Sequence, residues 1–348
     1  VAVVGSFGKT TTTRFTRAAL DLEQYVDLRG NTFWRLARKV LDSDPAQPQR
    51  VFEVGIAKPG EMARYAEILS PDITVVTSIG SEHREYLNEP ETTRHEKAFM
   101  VRALPAGGVA VLNGDDDNVM WMSSQTEARV VTFGLEAQNE VRATEIETDW
   151  PRGTRFRLHI GDDSWPARVR LFGRPMIYSA LAGVAVAHVA GREIHDVLAN
   201  IADLTPTTQR LCPVPLDNGA WLLDDTYKSP AETMATALDT LRDCQTDHKY
   251  VVLGPVPDYT ENPAEWYAVL ARQLTEVADR TLLLGGAHQP FVEAAVHQGL
   301  DPGSFVDGGH DILGAADRLR DWLQPEDIAL LKGYKLHTDR LTLRLTGS

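Results

Sequence analysis

The stretch VAVVGSFGKTTTT, Val1 to Thr13, decides how the rest of the chain is read. Four apolar residues, Val1 to Val4, run into Gly5-Ser6-Phe7-Gly8-Lys9-Thr10. This pattern predicts a buried strand, a glycine-bounded turn, and a helix over Thr11–Leu22 that opens on hydroxyls. Such a turn aims backbone N–H groups at one point, at the positive end of a helix dipole. Gly5, Ser6 and Gly8 then form a phosphate cradle. Lys9 reaches the β/γ-phosphates, and the Thr10 hydroxyl sits on Mg²⁺. The full phosphate-loop pattern has four residues between its glycines and this one has two, so a plain Gly-Lys turn at a helix N-terminus also fits.

Downstream, strands and helices alternate. Strands are expected at Val1–Val4, Arg50–Val54, Ile73–Thr77, Val109–Leu112 and Val130–Phe133. Helices are expected at Phe33–Leu41, Glu61–Leu69 and Glu91–Leu104. Alternation of this kind implies a mainly parallel sheet with helices on both faces, and ligands gather at the carboxyl ends of its strands. Residues 140–172 instead alternate polar and apolar around turns at Pro151-Arg152-Gly153 and Gly161-Asp162-Asp163, which predicts a small antiparallel insert. An Ala-rich helix follows at 177–189, with helical periodicity again at 193–203. Pro206, Pro213 and Pro215 mark a linker. Beyond it, strands at Trp221–Leu223, Tyr250–Leu253, Thr281–Leu284 and Ile328–Leu331 alternate with helices near 230–243, 263–278, 289–298 and 309–323. The expected architecture is α/β. A central ATPase domain of the phosphate-loop type spans 1–205, and a smaller Rossmann-like α/β domain spans 206–348.

Bulk properties exclude several classes. The 348 residues are 43% hydrophobic and carry a formal charge of −14. There is no basic stripe for nucleic acid and no run of about 20 apolar residues to span a membrane. The two cysteines, Cys212 and Cys244, form neither a CxxC pair nor a disulfide framework, which fits a reducing, cytoplasmic setting. No leader peptide is visible. The chain opens at Val1, inside a strand and without Met, so the protein is expected to continue upstream.

Several residues sit where chemistry gathers. Glu53, in VFEVG, ends a strand and is placed either to hold Mg²⁺ or to be an ordinary exposed glutamate. His83 follows the Ser78-Ile79-Gly80 turn, as a ligand or a surface loop residue. Lys97 lies on an amphipathic helix, where a lysine is ordinarily solvated. Asp115 and Asp116 suit a ribose, a metal or a polar turn. Asp224-Asp225-Thr226-Tyr227 puts two carboxylates at a strand end, and Arg210 lies in the linker, placed to clamp a phosphate. Gly285-Gly286 and Lys332-Gly333 read as αβ turns.

Gly5-Ser6-Phe7-Gly8-Lys9-Thr10-Thr11 resembles the Gly-x-x-Gly-Lys-Thr-Thr loop of the Mur ligases. The resemblance continues through Glu53-Val54-Gly55, Gly60-Glu61-Met62, Ser70-Pro71-Asp72-Ile73 and Ile79-Gly80-x-x-His83. It extends to Lys97, Asn113-Gly114-Asp115-Asp116, Gly173, Arg210, Asp224-Asp225-x-Tyr227, Val252-Leu253-Gly254 and Lys332-Gly333. Order and spacing hold across nearly the whole chain, and the D-alanyl-D-alanine-adding members are the most similar. The family couples ATP hydrolysis to amide formation. A carboxylate takes the γ-phosphoryl group, and an amine then displaces phosphate. The resemblance implies that Lys9 binds the γ-phosphate, Thr10 one Mg²⁺, and Thr11 the nucleotide alongside Gly5, Ser6 and Gly8. It also implies that Glu53 and His83 support two metal sites, that Lys97 is carbamylated to hold the second Mg²⁺, that Arg210 contacts phosphate, and that Asp225 binds ribose with Tyr227 beside it. Such charge neutralisation is what phosphoryl transfer onto a carboxylate needs.

This sequence departs from the family on the substrate side. Met176 and Ser179 stand where asparagines at the adenine site are usual. Lys228-Ser229-Pro230-Ala231 replaces Asn-Ala-Asn-Pro, Pro255-Val256-Pro257-Asp258 replaces an acidic stretch, and Tyr334-Lys335 replaces Ser-Arg. The domain that holds the UDP-sugar in the family is not among these residues. The expectation is an ATP-dependent carboxylate–amine ligase whose substrate is not the usual cell-wall precursor. It would take small-molecule partners, with no role for nucleic acid or membrane. The alternatives are the D-alanyl-D-alanine-adding enzyme without its N-terminal part, and a catalytically silent Mur-like binding module.

Overall fold

The computed structural model describes the chain apart from residues 25–35, 37, 39, 41–48, 57, 81–88, 228–232, 256–262, 287, 334–340, 342–343 and 347–348. It divides into two compact units. The first comprises Val1–Glu147, Thr154–Arg170 and Pro175–Leu204. The second comprises Thr148–Gly153, Leu171–Arg174 and Thr205–Ser348.

The first unit is built on one eight-stranded sheet. Its strands are β1 (Ala2–Val4), β2 (Phe52–Glu53), β3 (Ile73–Val76), β4 (Val109–Asn113), β5 (Arg129–Gly134), β6 (Val141–Asp149), β7 (Gly153–Ile160) and β8 (Asp163–Val169). The order is β2-β1-β3-β4-β5-β6-β7-β8, parallel from β2 to β6. β1 therefore lies inside the sheet, and Ala2, Val3 and Val4 are buried, as expected for a strand covered on both faces. The expected antiparallel stretch is present as the pair β7 and β8, and it is joined to the main sheet. β6 pairs with β5 through Phe133↔Val141 and Gly134↔Arg142, and β7 and β8 extend the same sheet. Alternating polarity reports one exposed face and does not reveal which strand lies alongside.

Helices Lys9–Ala19, Glu61–Leu69, Pro90–Arg102, Arg174–Val189 and Ile194–Ala202 surround the sheet. The small residues of Arg174–Val189 permit a close approach. A Cβ at Gly183 would lie 2.8 Å from the backbone carbon of Phe15 on the first helix. Of the expected helix Phe33–Leu41, most lies outside the described residues, and Leu36, Arg38 and Val40 are helical.

The second unit carries a six-stranded sheet. It comprises β9 (Cys212–Pro215), β10 (Trp221–Asp225), β11 (Lys249–Leu253), β12 (Arg280–Leu284), β13 (Phe305–Gly309) and β14 (Ile328–Lys332), in the order β13-β12-β11-β14-β10-β9. All pairings are parallel except β9 with β10. β9 and β13 are edge strands absent from the sequence expectation. β9 holds Pro213 and Pro215, which an edge tolerates because one side needs no ladder donors. β13 ends in Asp307-Gly308-Gly309, a poor β-forming tail. Helices Met234–Asp243, Pro263–Val277, His288–Gln298 and Ile312–Trp322 complete the unit. No described helix is long and apolar enough to cross a membrane.

Candidate active site

The loop after β1 is shaped by two glycines. Gly5 has φ +142°, and a Cβ there would fall 2.0 Å from Thr77 Oγ1. Gly8 has φ +79° and precedes the helix that starts at Lys9. Among the described residues no side chain caps that helix N-terminus, and its first turn holds no acidic residue. Both features leave the positive end of an eleven-residue helix suited to an anion.

The end of β3 holds the loop in place. Ser6 N donates to Ser78 O at 2.7 Å, Phe7 N to Ser78 Oγ at 3.2 Å, and Thr77 Oγ1 to Phe7 O at 2.6 Å. Ser6 Oγ accepts from Gly80 N at 2.9 Å. Asn113, at the end of β4, donates to Thr77 O at 2.8 Å and so fixes the bracing segment in turn. Sequence reasoning placed Thr77 at a strand end and Ser78 in a turn but gave neither a bracing role, for which two hydroxyls at the carboxyl end of a strand are the signal.

Two lysines meet at this loop. Lys9 Nζ donates to Gly5 O at 2.7 Å and to Ser6 O at 3.0 Å. Lys97 Nζ, fully buried, donates to the same Gly5 O at 2.8 Å. The expectation of a solvated lysine on helix Pro90–Arg102 is thus replaced by an ammonium group delivered beneath the phosphate loop. The neighbouring Glu96 is buried for a different reason. Its Oε1 accepts from Gly60 N at 2.7 Å and Met62 N at 3.1 Å, capping helix Glu61–Leu69 from another element.

The remaining expected residues fall as follows. Thr10 is half-buried in the first helical turn, and Thr11 is buried. Glu53 is half-buried at the end of β2, in register with Val3, two residues before Gly5. His83 lies outside the described residues. Ser179 is buried, its hydroxyl accepting from Thr12 Oγ1 at 3.1 Å, and the place of a Cβ on Gly8 is 3.8 Å from it. Asp115 and Asp116 are structural. Asp115 accepts from Leu135 N (2.6 Å), Asn139 Nδ2 (2.6 Å) and Tyr178 Oη (2.8 Å). Asp116 caps Asn118 and Val119 and accepts from Ile79 N at 2.9 Å. Among the described residues, no group of three or more His, Cys, Asp or Glu is placed to hold a metal.

In the second unit, Arg210 and Tyr227 come together. The guanidinium carbon lies 4.4 Å from the centre of the Tyr227 ring, and Tyr227 N donates to Gln209 O at 3.0 Å. Gln209 and Leu211, on either side of Arg210, have φ of +61° and +48°, uncommon for residues with a side chain. Asp225 ends β10 and is ion-paired with Lys332, which ends β14. Asp224 is buried and accepts from Thr226 Oγ1 at 2.6 Å. Neither thiol is set up as a nucleophile. Burial, and then the charge of Asp224, push Cys212 up, while burial pushes Cys244 up to about 12. The substituted segments 228–231, 256–258 and 334–335 lie outside the described residues.

A family profile described as the Mur ligase middle domain matches residues 3–187. UDP-N-acetylmuramoyl-tripeptide–D-alanyl-D-alanine ligase of Mycobacterium tuberculosis strain H37Rv is 26% identical over 355 residues, 95% of this chain and 69% of that protein. A crystal structure of MurF from Acinetobacter baumannii superposes with a TM-score of 0.84 at 23% identity, covering 100% of this chain and 76% of its own. MurF from Thermotoga maritima, solved in complex with ADP, superposes with a TM-score of 0.82 at 19% identity, covering 99% and 78%.

Proposed function

This chain belongs to the Mur ligase middle-domain family, and from that premise we propose that it joins a carboxylate to an amine at the expense of ATP. The observation that carries this reading is the pair of ammonium groups on one carbonyl of the phosphate loop, Lys9 and Lys97 on Gly5 O. Two cations at an uncapped helix N-terminus suit a polyphosphate and suit little else in a chain of this acidity.

The residues present fit a nucleotide and its metal. A Cβ at Gly5 would collide with Thr77 and Gly8 holds a left-handed φ of +79°, so the backbone of the turn is kept bare at both ends, and Thr10 with Glu53 offers a hydroxyl and a carboxylate, the hard oxygen donors that Mg²⁺ takes alongside water and phosphate. Mg²⁺, when bound, neutralises charge between the phosphates and the attacking carboxylate. Lys9 leaves Gly5 O to bind the γ-phosphate, and Thr11 and Ser6 belong to the same cradle. Lys97 is the residue that, once carbamylated, would offer a second metal a carboxylate in place of an ammonium. His83 is assigned to the metal sites from its motif alone. Asp225, with Tyr227 beside it, is assigned to the ribose and Arg210 to the phosphate. In the reaction, a carboxylate oxygen bonds to the γ-phosphorus as ADP leaves. The amine nitrogen then bonds to the acyl carbon, inorganic phosphate leaves, and the amine proton passes to solvent. The ATP-binding domain spans 1–205 and the C-terminal domain 206–348, in a cytoplasmic setting.

Two substrate readings follow. The changed residues around 228–231, 256–258 and 334–335 favour an acid and amine outside the usual cell-wall precursor. The names of the relatives favour UDP-N-acetylmuramoyl-tripeptide with D-alanyl-D-alanine. ADP and phosphate release, measured with that pair and with panels of other acids and amines, separates the two. Release is expected only when an acid and an amine are both present, and Lys9→Ala is expected to abolish it. Release at the wild-type rate in Lys9→Ala would contradict the ligase reading.

A further inference from the structure

We infer that Lys332 is a positioning residue for the nucleotide ribose, acting through Asp225. The inference rests on the assignment of Asp225 to that ribose. The Lys332-Gly333 turn, expected from sequence at the end of a strand, closes one that lies inside its sheet. β14 lies between β11 and β10, and Ile328, Ala329, Leu330 and Leu331 are all fully buried. This apolar run ends in Lys332, whose side chain is also 0% exposed.

A lysine with no solvent exposure is expensive to bury unless its ammonium is paired. Two partners are in place. Lys332 Nζ is ion-paired with Asp225 Oδ2 and donates to Thr233 Oγ1 at 3.0 Å, immediately before helix Met234–Asp243. The register places Asp225 directly opposite Lys332 across β10 and β14. The lysine backbone is equally constrained. Gly254 N donates to Lys332 O at 2.8 Å, and a Cβ on Gly333 would lie 2.6 Å from the Gly254 backbone. A cation is therefore fixed from three elements, and it holds one oxygen of a carboxylate whose side chain keeps 16% exposure.

Replacing such a pair by apolar residues is often neutral for stability, so burial alone gives little reason to keep it. What the arrangement supplies is direction. With Oδ2 held by Lys332, Oδ1 is left at a fixed place at the carboxyl ends of the strands, where an open α/β sheet binds ligands. One fixed carboxylate oxygen suits the adjacent hydroxyls of a ribose, and a carboxylate free to rotate would discriminate less among sugars.

The test is calorimetric binding of ADP and 2′-deoxy-ADP, with Mg²⁺, to the full chain. The wild type is expected to prefer ADP by about tenfold or more, the scale of one charge-assisted hydrogen bond. Lys332→Met is expected to reduce that preference to about threefold or less through weaker ADP binding, and Asp225→Asn to do the same, with no further loss in the double variant. Lys332→Leu, which also removes the donor, serves where Lys332→Met does not fold. A folded Lys332 variant that keeps the full preference overturns the inference while leaving the ligase reading intact. A wild type that binds ADP and 2′-deoxy-ADP equally removes the ribose role from Asp225 and the inference with it. A wild type that binds neither nucleotide overturns both.

Discussion

Among the described residues each unit buries one lysine completely, Lys97 in the first and Lys332 in the second, and the two are held differently. Lys332 has a carboxylate of its own, Asp225, and a hydroxyl, Thr233. Lys97 donates to a backbone carbonyl of the Gly5–Gly8 turn, one that Lys9 also uses. A buried ammonium with a fixed counter-charge serves to hold something still. On the proposed reading, the ammonium of Lys97 stands where charge changes when phosphate arrives or when the amine is modified. On that reading Lys332 is a support and Lys97 belongs to the reacting surroundings.

That contrast makes ranked predictions. The largest effect is expected at the phosphate loop. Lys9→Ala and Lys97→Ala should each lower steady-state ADP release by roughly 10²–10³-fold or more, the scale for losing one group aimed at developing charge. Their midpoints in urea should move much less. If Lys97→Ala turns over as fast as wild type, the two buried lysines are alike and the contrast fails.

Next comes stability in the second unit. Lys332→Met leaves Asp225 unpaired, and with that carboxylate partly exposed the loss is about 2–4 kcal/mol by urea unfolding. The double variant with Asp225→Asn should recover at least half of it. Additive losses would show that the pair is not the reason for the cost.

Smaller again is the Arg210–Tyr227 contact. A guanidinium 4.4 Å from a ring centre contributes about 0.5–2 kcal/mol where it is partly desolvated. A double-mutant cycle on Arg210→Ala and Tyr227→Leu should return a coupling in that range, and Tyr227→Phe should retain most of it. Zero coupling would assign the contact no energetic role.

The smallest effect concerns Cys244. Its thiol is pushed up to about 12 by burial, so the folded chain keeps it neutral where the unfolded chain ionises it. The sign follows directly. The contribution is fully present below the unfolded pKa of about 8.5–9 and is lost as pH rises towards 12. Between pH 8 and pH 10 the wild type should lose about 1 kcal/mol more than Cys244→Ala.

Much of the framework was legible in the residues. The apolar run before Gly5, the strand–helix alternation, and the glycine positions all report local physics that the chain carries in order. What was not legible depended on partners distant in sequence. Nothing in VRATEIETD reveals that it lies beside β5, because periodicity encodes faces and not neighbours. Pro213 and Pro215 read as a linker because a proline-bearing edge strand is recognisable only once its partner strand is in place. Lys97 on a mixed helix looks solvated until the fold brings Gly5 O over it, and only the family resemblance pointed the other way. Asp115 and Asp116 read equally well as ligands or as a turn, and the backbone amides around them make them a turn.

On the proposed reading the opening glycine turn grips a triphosphate through Lys9. The most direct test is calorimetric titration of a non-hydrolysable ATP analogue with Mg²⁺ into the wild type and into Lys9→Ala. The account predicts one-site binding to the wild type in the micromolar range and a loss of about 100-fold or more in the variant. Equal affinity in the two proteins, or no binding to either, would contradict it.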